Sequence, residues 1–157
     1  MNRHGILGAM FVSIALICLA LTCDAGGDSK SESKVKAKAT ASKIDDKGNQ
    51  TVTITLDITK DWHLYANPVN SDFLASAQTK VTFAVKGKTA PASVKYPPGK
   101  TKIEGKEKYD IYSGTVKIEA NVRRTPGDTN PLEITIAVQA CNDRLCLQQG
   151  KVKLTVP

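Results

Sequence analysis

The chain has 157 residues, 41% of them apolar and 24% charged, with 11 glycines and 7 prolines. That length suits one ordinary domain and a short extra segment, and the composition excludes a disordered or collagen-like chain. The net charge of +7, from 22 basic and 15 acidic residues, would suit an anionic partner if the charges clustered, but it says nothing about fold.

In chain order the first element is a targeting segment. Arg3 and His4 precede an apolar run from Ile6 to Leu21, and Thr22, Cys23, Asp24, Ala25, Gly26 and Gly27 follow. Basic, apolar and small-residue stretches in that order make a secretory signal, with cleavage expected after Ala25. The run is short for a spanning helix, which needs about 20 apolar residues. The rival reading is lipid attachment at Cys23, a poor match because no leucine stands three positions before it. Membrane contact is expected only with that lipid. Removing 1–25 takes away Arg3 and Asp24, so the charge stays at +7, and it also removes Cys18 and Cys23. What remains is one pair, Cys141 and Cys146, in a chain delivered where disulfides persist.

Residues 26–33, Gly-Gly-Asp-Ser-Lys-Ser-Glu-Ser, are small and polar and are expected to form a flexible tether. The folded domain is expected over 34–157. Within it apolar residues fall on alternate positions: Val35, Ala37, Ala39, Ala41; Val52, Ile54, Leu56, Ile58; Val81, Phe83, Val85. The same period of two recurs at Val116 to Val122, Leu132 to Ala140 and Val152 to Val156, and predicts half-buried strands. Turn compositions separate these runs, at Asp46-Lys47-Gly48-Asn49, Asn67-Pro68, Pro97-Pro98-Gly99 and Thr125-Pro126-Gly127-Asp128. With shorter runs at Trp62 to Tyr65 and Ala92 to Tyr96, about eight strands are expected, the number of an antiparallel β-sandwich. No segment has the period of an amphipathic helix.

Lys117, Lys151 and Lys153 sit on the polar phase of their strands, as on a solvated sheet face. Between Lys86 and Lys108 seven lysines face only Glu104 and Glu107, in a stretch expected to be mostly loop. Nucleic-acid binding would want aromatics interleaved for stacking, and Tyr96 alone is there, so no nucleic-acid partner is expected.

Cys141 and Cys146 lie at the end of the strongest strand and just past a turn. Two thiols flanking a tight reversal are within reach of a disulfide. As a staple, a loop of this size contributes about 2 kcal/mol, much of it redundant with the turn itself. A disulfide on a turn is well placed for exchange if its sulfurs are accessible and one thiolate is stabilised. Arg144 favours a thiolate and Asp143 opposes it. Staple and exchange stay open on these residues alone. A third reading joins His63 to the reduced pair as a copper or zinc site.

Asp61-Trp62-His63-Leu64-Tyr65-Ala66-Asn67-Pro68, Tyr96-Pro97-Pro98-Gly99, Tyr109-Asp110-Ile111-Tyr112-Ser113-Gly114 and Gln139-Ala140-Cys141 with Asp143 and Cys146-Leu147 occur in this order. In order and spacing they resemble the N-terminal periplasmic domain of the thiol:disulfide interchange protein DsbD, over about residues 35–157. The resemblance implies an immunoglobulin-like sandwich that passes electrons from a membrane donor to exported thioredoxin-like or cytochrome-maturation proteins, with no organic cofactor. It makes Cys141 and Cys146 the redox pair, Cys146 meeting the partner's disulfide and Cys141 resolving the mixed intermediate. It puts Asp61 and Tyr65 in a segment close to the pair, and Glu107, Tyr109 and Tyr112 in or beside a capping loop. Tyr109 stands in for the family's covering phenylalanine. Because Pro157 ends the chain with no apolar helices behind it, the electron donor is expected to be a separate protein. The competing class of function is a binding or scaffold module whose disulfide is only structural.

Overall fold

The computed structural model describes residues 30–157, so the signal segment, Cys18 and Cys23 lie outside the described residues. A single 3-10 turn, Ser31–Lys34, leads into strands throughout. In order these are β1 (Val35–Ala41), β2 (Asn49–Ile58), β3 (His63–Tyr65), β4 (Lys80–Val85), β5 (Lys88–Thr89), β6 (Ala92–Lys95), β7 (Lys100–Glu104), β8 (Glu107–Tyr112), β9 (Thr115–Arg123), β10 (Leu132–Val138), β11 (Ala140–Cys141) and β12 (Gly150–Val156). Among the described residues no helix is long and apolar enough to cross a membrane.

The strands form three antiparallel sheets, ordered β1-β2-β9-β6, β12-β10-β4-β5 and β11-β3-β8-β7. The alternation in the sequence sets the first two. Along β9 every second side chain (Val116, Ile118, Ala120, Val122) is buried and the residues between are exposed. Register puts Ile54 opposite Ile118 in the first sheet and Ile134 opposite Phe83 in the second. The apolar faces of both sheets meet in one core that includes Ile54, Leu56, Ile118, Leu132 and Ile136, all fully buried. Each such side chain contributes about 1.5–3 kcal/mol by leaving water. The result is the immunoglobulin-like sandwich expected.

Two expectations change. The stretch Lys86 to Lys108, read as mostly loop, holds β5, β6, β7 and the start of β8. Of these only β6 was expected, from the run at Ala92 to Tyr96; β7 escapes a period-two search because it is almost wholly exposed, and the start of β8 is exposed as well. The count rises from about eight to twelve strands among the described residues, the additions being β5, β7, β8 and β11. In addition, the polar run read as a tether is already packed at Lys30: Lys30 bridges to Gln148 and Ser31 is fully buried.

The sandwich end remote from the cysteines is fixed by a buried polar network. The Arg124 guanidinium donates to Gln50 Oε1 (2.9 Å), Asp128 Oδ2 (2.9 Å) and the Asn130 carbonyl (2.5 Å). Gln50 in turn donates to the carbonyls of Ser42 and Pro157. Gly48 is required here, since it has φ +79° and a Cβ would strike the Arg124 carbonyl. The backbone N–H of Asn130 and the Arg124 guanidinium hold the Asp128 carboxyl down at about 2.

Candidate functional site

β10 leaves the second sheet at Val138 and continues as β11 in the third, carrying Cys141 to one end of the sandwich. Strand alternation then decides what surrounds it. Leu64, Tyr112 and Ala140 point to the main core, whereas Tyr65, Tyr109 and Cys141 point to the opposite face of the third sheet. There they form a second cluster with Val69 and Ala77, backed by Leu74 and Ile111.

Beyond Cys141 the chain reverses within four residues. Asn142 N–H donates to the Leu145 carbonyl (2.9 Å) and Leu147 N–H to the Ala140 carbonyl (2.9 Å). The Asn142 side chain accepts from the N–H groups of Arg144 and Leu145, the local bonding that makes asparagine a turn residue. Cys141 and Cys146 thus oppose each other, 4.0 Å apart at Cα, and form a disulfide. The two cysteines are not equivalent: Cys141 is 2% exposed, while Cys146 is exposed.

Tyr65 Oη lies 3.6 Å from Cys141 Sγ and 3.7 Å from Cys146 Sγ, a hydroxyl shared by both sulfurs. The Tyr109 ring meets the Tyr65 ring edge-on at 5.7 Å. Tyr109 Oη donates to Glu104 Oε2 at 2.5 Å. Burial, reinforced by the Glu104 charge, raises the pKa of Tyr65 and lifts that of Tyr109 well above the usual phenol range. Both therefore stay protonated donors at neutral pH. His63, opposite Cys141 in register, is buried, and burial together with Lys102 lowers its pKa, so it is neutral.

The β7–β8 hairpin stands over the cysteine loop and is tied to it by Lys102 Nζ to Asp143 Oδ1 at 3.1 Å. Between them is a cavity of about 180 Å³, walled by His63, Tyr65, Tyr109, Lys102, Glu104 and the 141–146 loop. Larger hollows of about 410 and 470 Å³ lie elsewhere, but neither has a thiol or histidine in its wall.

Of the residues singled out in the sequence, His63, Tyr65, Tyr109, Asp143 and Arg144 meet the pair at this cavity. Asp61 sits in an exposed turn with φ +65°, outside it. Glu107 is exposed at the start of β8, opposite Glu104 in register, and it is Glu104 that reaches Tyr109. Tyr112 faces the main core, where its hydroxyl bonds the Pro97 carbonyl (2.8 Å) and Asn67 N–H (3.2 Å). Among the described residues no group of three His, Cys, Asp or Glu side chains is arranged to hold a metal while the pair is a disulfide. Sequence reasoning missed Lys102 and Glu104. Their alternation with Thr101 and Ile103 on a short charged hairpin was the available signal.

A family model described as the N-terminal part of thiol:disulfide interchange protein DsbD matches residues 32–156. The chain belongs to this family. Two solved structures share the fold of this DsbD N-terminal family member at 13% identity each. The N-terminal periplasmic domain of ScsB from Proteus mirabilis gives a TM-score of 0.60 over 78% of this chain, which spans 46% of that one. The Neisseria meningitidis DsbD N-terminal domain in its reduced form gives 0.52 over 80% of this chain and 86% of that one. No curated protein matches the sequence. Family and disulfide together fit a thiol:disulfide exchange domain.

Proposed function

We propose that this chain is an exported thiol:disulfide exchange protein that reduces disulfides of partner proteins through Cys141 and Cys146. In the reduced protein the Cys146 thiolate attacks one sulfur of a partner disulfide, forming a mixed disulfide and releasing the partner's other sulfur as a thiolate. Cys141, losing its proton, then attacks Cys146 Sγ, and the partner's second sulfur departs. Two electrons and two protons have passed to the partner, and the pair is left oxidised. A membrane donor recharges it. Thioredoxin-like and cytochrome-maturation proteins of the periplasm are the acceptors this family membership suggests.

The observation that carries the division of labour is the difference in exposure, with Cys146 open to a partner and Cys141 2% exposed beneath it. Attack needs access, and resolution needs only proximity. Tyr109 packs with Cys141 and keeps that sulfur from adventitious oxidants, leaving Cys146 as the point of entry. The test is trapping with an exported thioredoxin-like protein. Cys141→Ser should accumulate a mixed disulfide through Cys146, and trapping seen only with Cys146→Ser would reverse the roles. A structural disulfide in a scaffold module predicts trapping with neither variant.

A further inference from the structure

The hydroxyl of Ser31 sits between the two arms of the cysteine hairpin. It accepts from Ala140 N–H at 2.8 Å, on the residue just before Cys141, and donates to the Gln148 carbonyl at 2.7 Å, two residues after Cys146. The Ser31 backbone N–H donates to the same carbonyl at 3.0 Å. Ser31 is fully buried although it lies in a polar run. The following residue is packed as closely: a Cβ on Gly150 would lie 2.8 Å from the backbone nitrogen of Glu32 and would overlap its carboxyl group. Glycine at the start of β12 therefore leaves room for the N-terminal turn.

We propose that this turn is a non-covalent strap on the redox loop, in which Ser31 holds the arms carrying Cys141 and Cys146 together after their disulfide opens and so sets how readily the disulfide re-forms. The inference rests on the exchange reading of the pair. Its physical basis is reciprocal coupling. The disulfide holds both of Ser31's partners in place, so the Ser31 bonds must in the same measure favour the disulfide over the dithiol. Without them the reduced arms gain freedom, the effective concentration of one thiol at the other falls, and the reduced form is favoured. Ser31 touches neither sulfur, so it is a positioning residue.

The test is the equilibrium of the purified protein with glutathione, in which two glutathione thiols open the protein disulfide and leave one glutathione disulfide and one protein dithiol. Ser31→Ala should lower the constant for forming the protein disulfide about five-fold, the weight of one ordinary hydrogen bond. That is about 20 mV toward easier reduction. Gly150→Ala, which displaces the strap while keeping the hydroxyl, should move it the same way. In the reduced wild-type protein the Ala140 amide should remain protected from hydrogen exchange, a measurement that decides the matter even if Ser31→Ala does not fold. Unmoved potentials in both variants, with melting temperatures lowered equally in oxidised and reduced protein, would make Ser31 merely structural and overturn the strap. Rapid Ala140 exchange in reduced wild type would do the same. A disulfide that glutathione cannot open at all defeats the exchange reading instead, so the two failures are distinguishable.

Discussion

Replacing Tyr65 with phenylalanine removes one hydroxyl and keeps the ring that packs edge-on against Tyr109. That hydroxyl lies 3.6 and 3.7 Å from the two sulfurs, and with its pKa raised by burial it keeps its proton and acts as a donor. Once the disulfide opens, it is positioned to donate to a thiolate. Hydrogen bonds to charged groups contribute about 1.5–3 kcal/mol, and the long contact to sulfur argues for the lower figure. At 1.36 kcal/mol per pKa unit, Tyr65→Phe should raise the attacking thiol's pKa by about one unit. If that pKa lies above neutrality, thiolate at pH 7 falls about tenfold, but a more basic thiolate is about three-fold more nucleophilic, so exchange should slow only about three-fold. The thiolate absorbance near 240 nm followed against pH, with iodoacetamide alkylation rates alongside, reads both quantities. An unchanged or lowered thiol pKa in Tyr65→Phe would refute the assignment of Tyr65 as the donor that stabilises the reduced pair.

Three further outcomes separate site from scaffold. Tyr112→Phe removes the hydroxyl bonded at Pro97 and Asn67 in the main core, so it should lower stability by about 1–2 kcal/mol in urea unfolding and leave the thiol pKa unmoved. Lys102→Ala breaks an ion pair whose Asp143 side is 94% exposed, so dithiothreitol should reduce the disulfide less than about five-fold faster, with the difference vanishing in 1 M salt. Asp128 has its pKa depressed to about 2 from 3.8. Its stabilising effect is therefore present above pH 4 and lost as pH falls toward 2, and Asp128→Asn should flatten that limb of an acid-unfolding curve.

The main strands were legible because a sheet buried on one face imposes alternation on its residues. Val116 to Val122 follows that rule and forms β9 with little change of bounds, and Leu132 to Ala140 follows it too but divides at Gln139 into β10 and β11. The β7–β8 hairpin was not legible, since Lys100 to Glu104 buries almost nothing and is held to β8 by backbone bonds and polar side-chain contacts such as Thr101 to Asp110, which leave no apolar alternation. The same physics divides the site. Two cysteines across a turn announce themselves by spacing, and Tyr65 and Tyr109 came from the family resemblance. Lys102 and Glu104 reach the pair only because the hairpin folds over it, which no local pattern encodes. Ser31 was hidden most completely, because a buried serine with both bonds to distant backbone reads in sequence like any other residue of a polar run. Tyr112, two positions before Gly114 in the same motif as Tyr109, shows the converse. Strand parity sends it to the other face of the sheet.

The central claim is that the Cys141–Cys146 disulfide works by exchange, and the reduction potential of the folded protein tests it most directly. Equilibrated against glutathione and thioredoxin buffers, the pair should open and close reversibly at a potential well above about −300 mV, the region below which structural disulfides lie. A pair that both buffers leave oxidised in the folded protein would contradict the account and make the disulfide a staple.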